Sequence, residues 1–285
     1  SSDGDLLSWY GGDSAEGAGS PLEPVPDVVW GADPSWYAGS EALLEEYISG
    51  ENAAMREGCR SVGGRITPVT RDVAVIAVGE GAGDGVEVTG YEALLDERVV
   101  GSVAMEDPST SARGLAHLEG IVSGLSRQSA DAPWEYARDL LAGGALVSAR
   151  DVLDAPEREE RAVALTSEQR LMQARLLESP APDSVYPREG SCVTCECTAI
   201  VAGCANLRQA RAWIDFVTGK ACQERLAAEA FARPARSDVA EPDGLPDVED
   251  PTVPDRAGLL ALWARVLDGT WEPSEVAPEE AASAR

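Results

Sequence analysis

The stretch "GSVAMEDPSTSARG" (residues 101–114) decides how this chain is read. The apolar run that enters it, Val99 to Met105, is short and bounded by turn residues, which predicts a buried strand. Asp107-Pro108 stops that run. Ser109, Thr110 and Ser111 follow, and then Arg113. Beyond them Leu115, Leu118, Ile121, Val122 and Leu125 carry the stripe of an amphipathic helix. The segment reads as strand, turn and helix, with three hydroxyls and a guanidinium at the turn.

The same element occurs earlier. Val28-Val29-Trp30 leads to Asp33-Pro34-Ser35, and a helix is expected from there through Leu43, Leu44 and Tyr47. Aspartate caps the free N–H groups of a helix start, and proline suits the first helical position because its missing N–H had no partner there. A third strand-to-helix junction is Leu165-Thr166-Ser167-Glu168. Helix tips at the carboxyl ends of strands are where α/β sheets bind ligands, and their N–H groups and dipole favour anions. Ordinary capping accounts for each D-P-S taken singly. Arg113 is different: a cation in the first turn opposes the dipole at a cost of about 0.3–1 kcal/mol. A bound anion, or the nearby acids Glu106 and Asp107, would explain its position.

Outward from these elements, strands are expected over 65–78, 161–165, 184–186 and 198–202. Helices are expected over 91–95, 134–141, 151–159, 167–177, 207–218, 221–231 and 257–267. Strands alternate with helices, so the fold class is α/β, with mainly parallel sheets covered by helices. A chain of 285 residues suggests two domains or lobes. No apolar run approaches the ~20 residues of a membrane span. No signal peptide opens the chain, which is read as a mature form.

Fifty acidic residues against 23 basic ones give a formal net charge of −27, which argues against nucleic acid as a partner. The six cysteines are Cys59, Cys192, Cys195, Cys197, Cys204 and Cys222. Their spacing lacks the second paired half of a zinc site, so disulfides or inert thiols are preferred and no metal or cofactor is expected. His117, the single histidine, is expected at the surface of its helix rather than as a catalytic base. No nucleophile elbow or P-loop is present, so no enzyme is expected.

Five segments, in this order, carry a resemblance: "DVVWGADPSWY" (27–37), "GSVAMEDPSTSARG" (101–114), "ERAVALTSEQR" (160–170), "VYPREG" (185–190) and "TAIVAGCANLRQARAWIDFVTGKACQERLA" (198–227), followed by "RPARSDV" (233–239). Together they resemble the extracellular solute-binding proteins of ABC importers, in the two-lobed class that includes ferric-ion and organophosphonate binders. The resemblance covers roughly residues 27 to 267. It implies a type II periplasmic-binding-protein-like fold: lobe one from 1–88 and 203–270, lobe two from 89–202, crossing segments near 86–90 and 197–203, and an acidic tail over 271–285. Members usually begin with a strand, a helix and a second strand before the segment matching Asp27, so lobe one is expected to be abbreviated at its N-terminus.

The resemblance further implies an extracellular or periplasmic monomer, anchored through a lipidated N-terminus, that passes a small-molecule solute to a membrane permease. Its ligand-binding set would be Ser2, Asp33, Ser35, Trp36, Ser109, Thr110, Ser111, Arg113, Thr166, Ser167 and Glu168. Hydroxyls, helix tips and Arg113 favour an anionic group such as a phosphonate or phosphate ester. Glu168 would suit the amine of a zwitterion. The alternatives are a ferric ion or ferric chelate, although no two tyrosines are adjacent, and a sensory module or enzyme on the same fold.

Overall fold

The computed structural model describes residues 26–31, 33–80, 82, 85–153, 162–175, 182–248 and 255–274. Its strands are β1 (Val28–Trp30), β2 (Ile66–Val78), β3 (Val103–Glu106), β4 (Leu146–Ser148), β5 (Val163–Ser167), β6 (Asp183–Val185), β7 (Val193–Ile200) and β8 (Arg233–Pro234). Its helices are α1 (Ala112–Leu125), α2 (Ala132–Ala142), α3 (Glu168–Arg175), α4 (Leu207–Thr218), α5 (Lys220–Ala230) and α6 (Arg256–Leu267).

Strand β2 organises the molecule. Its first part, from Ile66 to Val73, pairs antiparallel with β7, whose other edge carries β1. Its last part, from Ala74 to Val78, changes partners and pairs antiparallel with β5 and β6. The change falls between Val73 and Ala74, upstream of the crossing expected at 86–90. A register shift between Pro68 and Thr70 bends β2 where proline has no N–H to give the ladder.

Among the described residues, parallel pairing is confined to β3, which lies between β5 and β4; the strands around β2 are antiparallel. The reason is that one long strand serves both sheets, and its neighbours return alongside it. The fold is mixed α/β.

Side chains of β2 alternate between two cores. Ile76 packs with Val103, Met105, Leu118, Ile121 and Trp134, while Val73, Val75 and Ala77 pack with Ala104, Leu171 and Val193. A separate core under β1 gathers Val29, Tyr37, Leu44, Ile66, Cys195 and Cys197. Helix α6, placed by sequence within 203–270 of lobe one, instead buries Trp263 and Val266 in the core of α1 and α2.

Two expectations change. The helix sought after Asp33 is a 3-10 turn, Pro34–Tyr37, followed by a second at Glu41–Leu43. Gly39 sits between them at φ +82°, a conformation that ends a right-handed helix and that other residues rarely adopt. His117 is fully buried rather than at the surface, because α1 lies flat against β5. Most of the helix sought over 151–159, and most of the tail over 271–285, lie outside the described residues.

Candidate functional site

The change of partner in β2 leaves a cavity of about 270 Å³ between the two sheets. That is close to the lower end of known ligand pockets, roughly 300–1,000 Å³, and suits a small solute. One wall carries Gly31 and Asp33 beyond β1, Asp72 on β2, and Thr194, Cys195 and Glu196 on β7. The other carries Ala112, Arg113 and Ala116 at the start of α1, with Thr166, Ser167, Gln169, Arg170 and Gln173 at the junction of β5 and α3. The first wall is acidic and the second carries the cations.

On the acidic wall, Asp33 Oδ1 accepts the N–H of Ser35 at 2.7 Å, while its buried Oδ2 has no partner among the described residues. Burial raises the pKa of Asp33, partly offset by the Ser35 hydrogen bonds and by Arg256. Asp72 is half-buried at the cavity floor, where its Oδ1 accepts the N–H groups of Val73 (2.9 Å) and Gln169 (3.1 Å). Desolvation pushes its pKa up to about 6, against the lowering effect of its hydrogen bonds from Ser167, Gln169 and Val73.

On the opposite wall, Arg113 does meet acids. Its Nε donates to Glu106 at 2.8 Å and its Nη2 to Asp151 at 3.3 Å. Asp151 also receives Arg170 Nε at 2.7 Å, so one carboxylate holds two guanidiniums at the cavity edge. Burial works to lower the pKa of Arg113, but Glu106 and Asp151 outweigh it and the result is raised. Gly114 permits this arrangement. A Cβ there would collide with the backbone of Glu106 and Asp107, so only glycine lets α1 start against the end of β3.

The hydroxyls distribute unevenly. Ser111 is the N-cap of α1, accepting the N–H groups of Arg113 (3.2 Å) and Gly114 (3.3 Å) and donating to Glu106. Asp107 accepts the N–H of Ser109 at 2.9 Å in the preceding turn. Ser109 is exposed and Thr110 half-buried, and neither lines the cavity. Thr166 and Ser167 do, and the buried Thr166 Oγ1 has no partner among the described residues.

Ser35 and Trp36 are buried beside the cavity rather than in its lining, with Arg256 of α6 stacked 3.4 Å over the Trp36 ring. Glu168 turns away. It is buried and takes a bidentate bond from Arg233, with Nε at 2.7 Å and Nη2 at 2.8 Å, plus the Tyr186 hydroxyl at 2.5 Å. Ser2 lies outside the described residues.

Of the expected set, then, Asp33, Arg113, Thr166 and Ser167 come together on one cavity. Arg170, Asp72, Thr194 and Glu196 join them unannounced. Arg170 had a signal: it is a cation in the first turn of α3, as Arg113 is in α1. Asp72 and Glu196 had none, because an acid in a strand gives no sign of which face will border a cavity. Behind the wall, His117 Nε2 lies 2.7 Å from the Thr166 carbonyl and Nδ1 lies 3.1 Å from the Tyr91 hydroxyl. Desolvation lowers its pKa to about 4.

A polar cavity thus lies between two sheets that share a continuous strand. The chain belongs to the bacterial extracellular solute-binding protein family, whose model matches residues 23–260. Such proteins deliver small-molecule solutes in ABC transport.

Among solved structures, it resembles the periplasmic binding protein P5PA, with 18% identity, a TM-score of 0.69, and coverage of 87% of this chain and 82% of that one. It is similar to AfuA from Actinobacillus pleuropneumoniae with exogenous fructose-6-phosphate bound, at 18% identity and TM-score 0.68, covering 87% and 82%. It is also similar to iron-bound HitA from Pseudomonas aeruginosa, at 18% identity and TM-score 0.66, covering 87% and 83%. At these identities the likeness shows the fold. No curated protein matches the chain by sequence. Among the described residues, no helix is long and apolar enough to cross a membrane.

Proposed function

We propose that this protein captures a small zwitterionic solute between two lobes and hands it to an ABC permease. One lobe is built on β1, β7, β8 and the first part of β2, with α4 and α5. The other is built on the last part of β2 with β3 to β6, α1 to α3 and α6. The lobes join where β2 changes partners at Val73-Ala74 and where β7 begins at Val193.

The placement of the carboxylates Asp33, Asp72 and Glu196 on one cavity wall and of the guanidiniums Arg113 and Arg170 on the other is what supports the reading. A phosphonate, phosphate ester, sulfonate or carboxylate would sit toward Arg113 and Arg170, beside Thr166 and Ser167. An amine would face Asp33, Asp72 and Glu196. Each charged hydrogen bond contributes about 1.5–3 kcal/mol. The carboxylates lining the cavity disfavour a purely anionic solute. AfuA, a protein of this fold with fructose-6-phosphate bound, lends support to a solute that carries an anionic group. Among the described residues no tyrosine lines the cavity, which favours the zwitterion over a ferric ion, HitA being a protein of this fold with iron bound.

Isothermal titration calorimetry with an aminoalkylphosphonate, the corresponding alkylphosphonate and a ferric chelate tests this reading. The amino compound is expected to bind one to one without turnover, at least about tenfold tighter than the des-amino compound. Equal affinity of the two phosphonates would remove the acidic wall from recognition. Binding of the chelate alone would refute the proposal.

A further inference from the structure

The cysteines remain outside this account, and two of them meet. Cys59 ends a 3-10 turn, Glu57–Cys59, beneath the sheet of β1, β7 and β2. Cys195 lies on β7 between Thr194 and Glu196 of the acidic cavity wall. Their Sγ atoms are 3.6 Å apart across 136 residues of sequence, and both side chains are buried in one core. The other thiols have different surroundings: Cys192 donates to Glu119 at 3.2 Å, Cys197 approaches the Cys195 carbonyl at 3.8 Å, and Cys204 and Cys222 are partly exposed.

We propose that Cys59 and Cys195 are joined by a disulfide in the exported protein. The family is extracellular, and that is the setting in which disulfides form and persist. Sulfur atoms in van der Waals contact need an approach of about 1.5 Å to reach the ~2.05 Å bond. Cys59 can supply it, since it sits in a short 3-10 turn held by the local bonds Cys59 N to Arg56 O and Arg60 N to Glu57 O, whereas Cys195 is held in the ladder of β7 opposite Arg71 of β2.

The oxidant is the disulfide of a thiol–disulfide oxidoreductase. One thiolate of the pair attacks it to form a mixed disulfide and expels the oxidoreductase's first thiolate. The second protein thiolate then attacks the substrate sulfur, forms the Cys59–Cys195 bond and expels the other. Two protons and two electrons leave the pair, and the oxidoreductase gains a dithiol. The cross-link would fasten the strand bearing Thr194 and Glu196 to the lobe beneath it and remove a free thiol from the cavity wall.

Peptide mapping of wild-type protein exported to an oxidising compartment and purified without reductant tests this. After denaturing alkylation with iodoacetamide and tryptic digestion, Glu57–Arg60 is expected linked to Glu189–Arg208, two hydrogens lighter than the sum and separated by reduction. Fragmentation should place the link at Cys195. Cys197→Ser should retain it. Reduction of the intact protein should lower Tm by roughly 4–9 °C. Carbamidomethyl groups on both Cys59 and Cys195, or a link from Cys59 to Cys192, Cys197 or Cys204, would overturn the proposal.

Discussion

Replacing Arg233 by methionine tests how the two sheets are tied together beside the cavity. Arg233 on β8 and Glu168 at the start of α3 are each 1% exposed and share two hydrogen bonds of 2.7 and 2.8 Å. They connect the strand pairing of Thr70 and Arg71 to the helix that carries Gln169 and Arg170. Two charges removed from water are held there by mutual attraction, and removing one leaves the other desolvated. Breaking such a pair costs about 3–5 kcal/mol. The Tyr186 hydroxyl remains to Glu168, but one neutral donor does not replace a bidentate guanidinium. For a chain of this size about 2 °C is lost per kcal/mol, so Arg233→Met is expected to lower Tm by about 6–10 °C. Urea unfolding followed by tryptophan fluorescence would give the free energy directly. The double variant Glu168→Leu/Arg233→Met should recover part of the loss, because it leaves no buried carboxylate without a partner. A single-variant cost below about 1 kcal/mol, or a double variant no more stable than Arg233→Met, would refute the reasoning.

Arg113→Ala is expected to weaken binding of an anionic group by roughly 10–100-fold in calorimetry, through loss of a charged hydrogen bond, with the circular dichroism of the fold retained. With the Asp72 pKa near 6, its carboxylate forms as pH rises through that value, so an amine-bearing ligand should bind more tightly at pH 7.5 than at pH 5. Asp72→Asn should flatten that dependence. Because the folded-state pKa lies above the ordinary 3.8, ionisation opposes folding, and the same variant should stabilise the free protein above pH 6, by up to about 3 kcal/mol, but not below pH 4. His117 has the opposite sign: its pKa is depressed from 6.5 to about 4, so it supports stability fully above 6.5 and loses that support as pH falls toward 4. A pH series of urea midpoints for wild type and His117→Gln should show that component, on the order of 3 kcal/mol, missing from the variant.

Much of the secondary structure was legible because burial and period coincide. The stripe of Ala210, Ile214 and Val217 defined a helix over 207–218, and α4 runs from Leu207 to Thr218. The opening stretch also formed its strand, turn and helix, though with Ser111 rather than the D-P-S aspartate as the cap. The first D-P-S misled because the same capping residues serve a single 3-10 turn when a glycine at positive φ follows. His117 misled because its position beside Leu115 and Leu118 does not say which face of α1 a sheet will cover.

By itself the sequence determined the alternation of strands and helices, the acidic surface, and the family, since these depend on residue types and on spacings of a few positions. Only the tertiary structure decided the polarity of the cavity and the partners of its charges. Arg113 reaches Asp151, Glu168 reaches Arg233, and Asp72 receives the N–H of Gln169, each across a gap of 38 to 97 residues. A charge in low dielectric is governed by whichever group packs within a few ångströms of it, and local spacing carries no record of that neighbour.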